Sequence, residues 1–429
     1  MLNNILYYLK KLIPSFVFLR LAPIYHFVMA FLAALWYRFP SHKIKVIAVT
    51  GTKGKTSVTE IVNAILEEAE YKTALSNTIR FKIDNESRDN LYKMSMPGRF
   101  FVQKFLRDAV KAGCRYVVLE VTSQGALLYR NRFIDFDALI FTNIAPEHIE
   151  AHGSFEKYVA AKLSIADTAV RSKKSPTVLV ANTDDAQAPK FMAKNFTEKY
   201  PYSIADAQPF TLFKEGFDMT FGANSSESQK IYSKLSGEFN VMNVLAALTF
   251  ANSQNIPLET SARAIEKFSG IRGRVERIEE GQDFSVIVDY AHTPDSLQKL
   301  YDVFQTSRRI CVLGNTGGGR DIWKRDEMAK IAARECDEII LTNEDPYDDD
   351  PRKIIDDMAQ PMRDSGANPT IVMDRREAIK TALNKAKTGD AVLITGKGTD
   401  PYIMGANNTK IPWSDAEVTR EELVKILNK

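Results

Sequence analysis

After Pro40 the chain alternates between strand and helix patterns, beginning with a short apolar run at Lys45–Thr50. After a glycine-bearing turn, Val58, Ile61, Val62, Ile65 and Leu66 follow at the three- and four-residue spacing of one helix face. That strand–turn–helix signal recurs, with further strands expected at Tyr116–Val121, Ala138–Thr142 and Thr177–Ala181. Around Gly270–Val275 the text "SGIRGRVERI" combines two glycines with charge and predicts a hinge. Beyond it strands are expected at Val286–Tyr290, Ile310–Gly314, Glu338–Thr342, Thr370–Met373 and Ala391–Thr395. Such alternation predicts α/β architecture: two domains of parallel sheet joined by right-handed crossovers. The expected division is an apolar, basic helical segment over 1–42, a central domain over 43–272 and a C-terminal Rossmann-like domain over 273–429.

A chain of 429 residues exceeds one ordinary domain, and a net charge of +3 gives no lead toward nucleic acid. The charge is nevertheless uneven. No Asp or Glu precedes Glu60, whereas Lys10, Lys11, Arg20, Arg38, Lys43 and Lys45 all do. The uncharged run Leu21–Tyr37 contains Pro23 and falls short of the about 20 apolar residues a bilayer-crossing helix needs. No small-residue cleavage site follows it, so a secretory signal is not expected. Two readings stay open: helices packed on the rest of the protein, or a basic, aromatic-rich segment on an anionic membrane face. Cys114, Cys311 and Cys336 are far apart with no CxxC pair, so small buried hydrophobes in a reducing cytosol are expected rather than disulfides or a thiolate zinc site.

The turn itself, "GTKGKTS", carries the first chemistry. A full phosphate loop needs a glycine five positions before Gly54, where Val49 stands. Glycines still let backbone N–H groups turn toward phosphate. Lys55 supplies a point charge, and Thr56 offers a hydroxyl to Mg²⁺ at the positive end of a helix. An ordinary turn is the alternative.

This clipped loop resembles that of the Mur ligase superfamily. "LEVTSQG" (119–125), "TNIAPEHIEAHGSFEKYVAAK" (142–162), "GEFNVMNVLAA" (237–247), "GRVE" (273–276), "VDYAHTPDSL" (288–297) and "GKGTD" (396–400) follow in the order and spacing of its UDP-N-acetylmuramoyl-tripeptide synthetase branch. The resemblance implies a central P-loop-type ATPase domain and a C-terminal domain that brings the amino acid. It also implies a reaction in which a carboxylate takes the γ-phosphoryl group of ATP and an incoming amine displaces phosphate. Such chemistry demands metal ions over crowded oxygens and rigid positioning of three substrates.

Residue by residue, the resemblance implies ATP contacts at Gly51, Thr52, Lys53, Gly54, Lys55, Thr56, Ser57, Asn240, Asn243, Arg274, Asp289 and His292. Asn240 and Asn243 are also open to a helix-capping role, and Asp289 and His292 to a turn. Metal ligands are expected at Thr56, Glu120, His148 and Lys162, with Lys55, Glu120, His148 and Lys162 as the catalytic set. Glu120 ends the apolar run "YVVLE", where an α/β sheet presents ligands, and a hard cation needs oxygen; a plain strand-end acid is the alternative. Lys162, which closes a predicted helix, must be carbamylated to serve, since a bare ammonium would be repelled by Mg²⁺; a solvent-facing helix lysine is the plain reading. His152 is expected to support the loop.

Substrate contacts are implied at Ser95, Ser123, Arg130, Arg320, Asp345, Pro346, Tyr347, Gly396, Thr399 and Asp400, with Asp321, Lys324 and Arg325 further candidates. Here the chain departs from its family. Gln124 stands for a histidine and Met96 for a hydroxyl residue. "EDPY" (344–347) replaces Asp-Asn-Pro-Arg, whose arginine grips diaminopimelate bidentately, which tyrosine cannot do. Asp400 is positioned by "GKGTD" to hold a distal ammonium, so lysine is as well matched as diaminopimelate. Asp348–Asp350 read as a solvated loop.

The expectation is an ATP- and Mg²⁺-dependent amide ligase of peptidoglycan-precursor synthesis. It joins a free amino acid to a UDP-N-acetylmuramoyl-dipeptide, in the cytoplasm, as a monomer, with peripheral membrane contact through residues 1–40 as an added reading. Only some fifty residues precede the loop where the family has about a hundred, so another grip on UDP, another acceptor or a docking role is open for them. The alternatives are a sister ligase with a folate, polyamino acid or other cell-wall peptide as acceptor, and a non-catalytic ATP-binding membrane scaffold.

Overall fold

The computed structural model describes residues 15–147, 149–222, 228–319 and 322–428, with side chains from Arg20 onward. By its contacts the chain divides into two compact units. Met1–Ala145, Glu156–Tyr202 and Thr249–Asn255 form the first; Pro146–Phe155, Ser203–Leu248 and Ile256–Lys429 form the second.

The first unit is built on a sheet of order β4-β3-β2-β5-β1-β6-β7-β8. Its strands are β1 (Lys45–Thr50), β2 (Thr73–Ser76), β3 (Arg80–Ile83), β4 (Glu86–Asp89), β5 (Tyr116–Glu120), β6 (Ala138–Phe141), β7 (Val178–Asn182) and β8 (Glu198–Tyr202). Strands β2, β5, β1, β6, β7 and β8 run parallel, while β3 and β4 extend the edge antiparallel. Val46, Ile47, Ala48 and Val49 are essentially inaccessible. Helices cover both faces of such a sheet, which is why β1 reads as a continuous apolar run and not as an alternation. The chain leaves β1 for β2 on one side and later adds β6 on the other. Carboxyl ends of strands at such a switch of direction are where open α/β sheets bind ligands.

The second unit holds a six-stranded sheet of order β12-β13-β17-β14-β15-β16. Here β12 is Glu276–Arg277, β13 Ser285–Asp289, β14 Arg309–Leu313, β15 Glu338–Leu341, β16 Thr370–Ile371 and β17 Ala391–Thr395. The pleat sorts alternate residues into two cores. Ile287, Cys311, Leu313, Ile339, Leu341 and Leu393 pack in one; Val286, Val288, Ile310, Val312, Ile340, Val392 and Ile394 pack in the other. Three short antiparallel strands, β9 (Phe210–Phe213), β10 (Gly216–Phe221) and β11 (Gln229–Ser233), complete a separate sheet, and β18 (Tyr402–Met404) pairs with β19 (Lys410–Pro412).

The cysteine expectation needs one correction. Cys311 on β14 and Cys336, which ends the helix Lys324–Glu335, are joined in a disulfide across Cα atoms 6.1 Å apart. Sequence distance hid the pairing: β15 follows Cys336 at once and lies beside β14, so the fold brings the two residues together. Cys114 is the small buried thiol expected of it, with burial raising its pKa.

The N-terminal segment is a helix, Ser15–Trp36, packed on the helix Arg99–Lys111. Among the described residues no helix is long and apolar enough to cross a membrane.

Candidate functional site

In the first unit β1 delivers the chain into Gly51, whose φ is +155° and where any Cβ would overlap Thr142 Oγ1. Gly54, at φ +79°, begins the helix Lys55–Glu68, and no side chain caps that end. A helix start with no side-chain cap bond, a lysine at the first position and no acid in the first turn suits an anion. The Lys55 ammonium donates to the Thr52 carbonyl at 2.8 Å. Residues after β6 hold the turn from outside. Thr52 N donates to Asn143 O at 2.8 Å, Lys53 N to Asn143 Oδ1 at 2.9 Å, and Thr142 Oγ1 to Lys53 O at 2.7 Å. Ser57 is buried in the first turn.

Lys162 reaches the same turn from the middle, not the end, of the helix Phe155–Val170. It is only 1% exposed, its Nζ donates to Gly51 O at 2.6 Å, and it lies 4.7 Å from the centroid of the Tyr158 ring. Tyr158 in turn places its hydroxyl 2.9 Å from Thr52 Oγ1.

Glu120, at the tip of β5, is 3% exposed and surrounded by hydroxyls. Thr56 Oγ1 donates to its Oε2 at 2.9 Å and Ser95 Oγ to its Oε1 at 2.9 Å. Thr78 donates its backbone N–H to Oε2 at 3.0 Å and its hydroxyl to Oε1 at 3.0 Å. Thr78 Oγ1 and Ser95 Oγ are 2.7 Å apart. A carboxylate ringed by hydroxyl oxygens is a hard-donor set of the kind Mg²⁺ takes, so these residues fit that ion. Thr78 was missed, because nothing in "SNTIR" marks it. His148 lies outside the described residues, and among those described no three His, Cys, Asp or Glu side chains cluster as a metal site.

Ser123 is buried at the start of the short helix Ser123–Leu127, which Thr122 caps. Arg130 donates through Nη1 to Met96 O and lies 3.7 Å from Met94 Sδ. Burial and the neighbouring charge of Arg99 lower its pKa. The loop carrying Ser95 and Met96 is therefore tied at once to Glu120 and to Arg130.

In the second unit Asn243 Nδ2 donates to Asn240 Oδ1 at 2.9 Å, one turn apart on the helix Glu238–Ser253. Asn240 Nδ2 donates to Ser236 O at 2.8 Å, which ties the amide to the residues before the helix. Asp289 accepts from Val275 N at 2.7 Å and Ala291 N at 2.6 Å. The Arg274 guanidinium stacks 4.3 Å from the Tyr290 ring centroid. His292 sets Nδ1 2.7 Å from Tyr290 O and Nε2 3.4 Å from the buried Glu147. His152 is buried at the end of the helix Ile149–His152.

The "EDPY" and "GKGTD" stretches meet around one buried cation. Lys397 Nζ lies 2.7 Å from Asp345 Oδ1, 3.4 Å from Asp400 Oδ2 and 2.6 Å from Tyr402 O, and it is fully inaccessible. Asp345 also accepts from Met404 N at 2.8 Å. Gly396, at φ +104°, leaves room for the Glu344 carboxylate, which any Cβ there would strike. Burial, with the Asp345 charge beside it, raises the pKa of Glu344. Pro346 is buried, and the half-buried Tyr347 sits at φ +52° with its N–H on Met404 O at 3.1 Å. The Thr399 amide abuts Gly273, where φ is +60° and a Cβ would come within 2.6 Å of that nitrogen.

Lys324 and Arg325 are buried, and Arg325 pairs with Asp357 at 2.8 Å. Arg320 and Asp321 lie outside the described residues. Asp348, Asp349 and Asp350 are exposed, but each accepts a backbone N–H, from Asn407, Gly318 and Arg352 respectively. Lys397 and Glu147 stood in the quoted motifs yet carried no signal of their own.

The Mur ligase middle domain pattern matches residues 49–251, and the Mur ligase glutamate ligase domain pattern matches residues 273–398. A UDP-N-acetylmuramyl-tripeptide synthetase from Roseiflexus sp. (strain RS-1) is 35% identical over 421 residues, spanning 93% of this chain and 82% of that protein. A UDP-N-acetylmuramoyl-L-alanyl-D-glutamate–2,6-diaminopimelate ligase from Gloeobacter violaceus is 37% identical over 404 residues, spanning 92% and 80%. Among solved structures, a 2,6-diaminopimelate ligase of that same name superposes with a TM-score of 0.62 at 28% identity over 90% of this chain and 79% of that one. MurF from Acinetobacter baumannii superposes with 0.68 at 18% identity over 94% and 81%, a likeness of fold alone.

Proposed function

The chain belongs to the Mur ligase family, and from that premise we propose that it is an ATP-dependent ligase of peptidoglycan-precursor synthesis, adding lysine, diaminopimelate or a similar amino acid to a UDP-N-acetylmuramoyl-dipeptide. The observation that carries this reading is the contact of Thr56 with Glu120. It joins an anion-receptive helix start to an acidic strand tip at the ligand-binding edge of the sheet.

In this reading Gly51, Thr52, Lys53, Gly54, Lys55, Thr56 and Ser57 hold the ATP phosphates, and Asn240, Asn243, Arg274, Asp289 and His292 are proposed as further ATP contacts. Lys55 swings its ammonium from the Thr52 carbonyl to phosphate, trading one oxygen acceptor for a charged one. Thr56, Glu120, His148 and a carbamylated Lys162 hold Mg²⁺, which when bound neutralises the crowded phosphate and carboxylate oxygens. Carbamylation leaves Lys162 one N–H for the Gly51 carbonyl and replaces its positive charge with two acceptor oxygens.

Ser95, Ser123 and Arg130 orient the acceptor, whose terminal carboxylate must meet the γ-phosphoryl group in line. Arg320, Asp345, Pro346, Tyr347, Gly396, Thr399 and Asp400 receive the amino acid. Asp345 and Asp400 already share the Lys397 cation, so the acid available to a substrate ammonium is less than the sequence suggests. The division at 42/43 and 272/273 belongs to the same reading, supported by the span of the two family matches. So do a monomeric, cytoplasmic enzyme and membrane contact through residues 1–40.

Phosphate release from ATP, Mg²⁺, the UDP-dipeptide and a panel of amino acids tests the reaction. Release that needs both acceptor and amino acid is expected. ATP binding without turnover on any acceptor would instead make the chain a nucleotide-binding scaffold.

A further inference from the structure

The helix Ser15–Trp36 is apolar on two faces, and only one of them is covered. Ala30, Ala33 and Ala34 are buried against the protein, small enough to let the helix lie close on Arg99–Lys111. Phe27 and Phe31 wedge beside them against Phe133, with ring centroids 5.2 and 5.5 Å apart. On the opposite side Leu21, Ile24, Val28, Leu32, Leu35 and Trp36 point outward, with Ile24 62% and Trp36 76% exposed. At 100° per residue these six fall in one stripe about a third of the circumference wide.

Solvated helix faces carry charge; this one carries none. A continuous outward stripe of this size marks an interaction surface. Its rim identifies the partner. Arg20 stands at one end and Arg38 at the other, the exposed Lys43 follows, and no acidic residue precedes Glu60. Tyr25 and Trp36, amphipathic rings of the kind that settle at headgroup level, sit at the stripe's margin and end. Apolar residues, flanking cations and interfacial aromatics together match an anionic lipid surface, and the helix is too short in apolar length to cross it.

The helix is coupled to the candidate acceptor site. Arg99 begins the helix beneath it, meets the His26 ring, and holds its guanidinium 6.0 Å from the Tyr25 ring centroid. The loop carrying Ser95 and Met96 runs directly into Arg99, and Arg130 bonds Met96 O. We propose that the outward stripe of Ser15–Trp36 lies in the headgroup–acyl boundary of an anionic bilayer, so that the acceptor loop works at the membrane surface. This rests on the reading of residues 1–40 as a membrane-contacting segment and names the face and the lipid class.

The full chain is sedimented with phosphatidylcholine vesicles and with vesicles containing phosphatidylglycerol. Binding to the anionic vesicles is expected to be about tenfold or more the stronger, and to weaken with salt. Val28→Ser with Leu32→Ser and Trp36→Ser, all on exposed positions, should reduce it at least about tenfold. Absence of binding to either vesicle overturns both the proposal and the reading beneath it. Binding that survives the triple variant but is lost in Lys10→Glu with Lys11→Glu overturns the stripe and keeps the reading. Trp36 shielded from an aqueous quencher without lipid, or a dimer that the triple variant splits, assigns the face to the chain itself and overturns the proposal. Phosphate release without vesicles reports on the ligase reaction separately.

Discussion

The hydroxyl of Thr56 donates to the Glu120 carboxylate at 2.9 Å, across 64 residues of sequence. One residue stands in the first turn of the helix after β1 and the other ends β5, the neighbour of β1 in the sheet. Parallel strands side by side bring their carboxyl ends together, so the contact is a consequence of topology.

Removal of charge at this point should stop the reaction. Glu120→Gln keeps the shape and is expected to lower phosphate release by about 100-fold or more. Thr78→Val, which withdraws one hydroxyl from the carboxylate, should raise the Mg²⁺ concentration for half-maximal rate by about 10- to 100-fold while the protein stays folded. An unchanged Mg²⁺ requirement would remove Thr78 from the site.

Lys162→Ala is expected to abolish turnover, with partial return on adding formate or acetate. The wild-type protein should lose activity when bicarbonate and CO₂ are stripped from the buffer. Turnover indifferent to both treatments would show that the lysine acts only as the observed brace on Gly51.

At Lys397 the expectation concerns stability. Replacing it by Met removes a buried ammonium from between Asp345 and Asp400, which costs about 3–5 kcal/mol. Urea unfolding checks this, and a loss below about 1 kcal/mol would mean that water reaches the pair.

Glu344 makes stability pH-dependent. Its raised pKa means that the folded chain keeps a proton the unfolded chain has released. Stability attributable to this group is therefore greatest in acid, and falls as pH rises from the unfolded carboxyl value through the folded one. Glu344→Gln lacks this slope. The variant should gain on the wild type as pH rises, in urea midpoints taken from acid to neutral; parallel curves would contradict the burial argument.

Where the sequence carried a repeating physical constraint, it was legible. Doubly covered strands must be continuously apolar, and β1, β5, β6, β14 and β17 were found within a residue or two for that reason. The short edge strands β3 and β4 and the small sheet β9–β11 carry no such run and escaped notice. The charged and glycine-bearing motifs announced the loop, Glu120, Lys162 and the "GKGTD" turn, because phosphate and metal chemistry admits few residue types.

Which of those residues meet was a matter for the tertiary structure. Thr78 on Glu120, Lys162 on Gly51, Lys397 between Asp345 and Asp400, and Cys311 with Cys336 all join segments the chain keeps apart. The sequence alone determined the family, the alternating architecture and the chemical types available, since these follow from local pattern and composition. Partners, burial and the exposed side of Ser15–Trp36 arise from long-range strand order and packing, which no local pattern encodes.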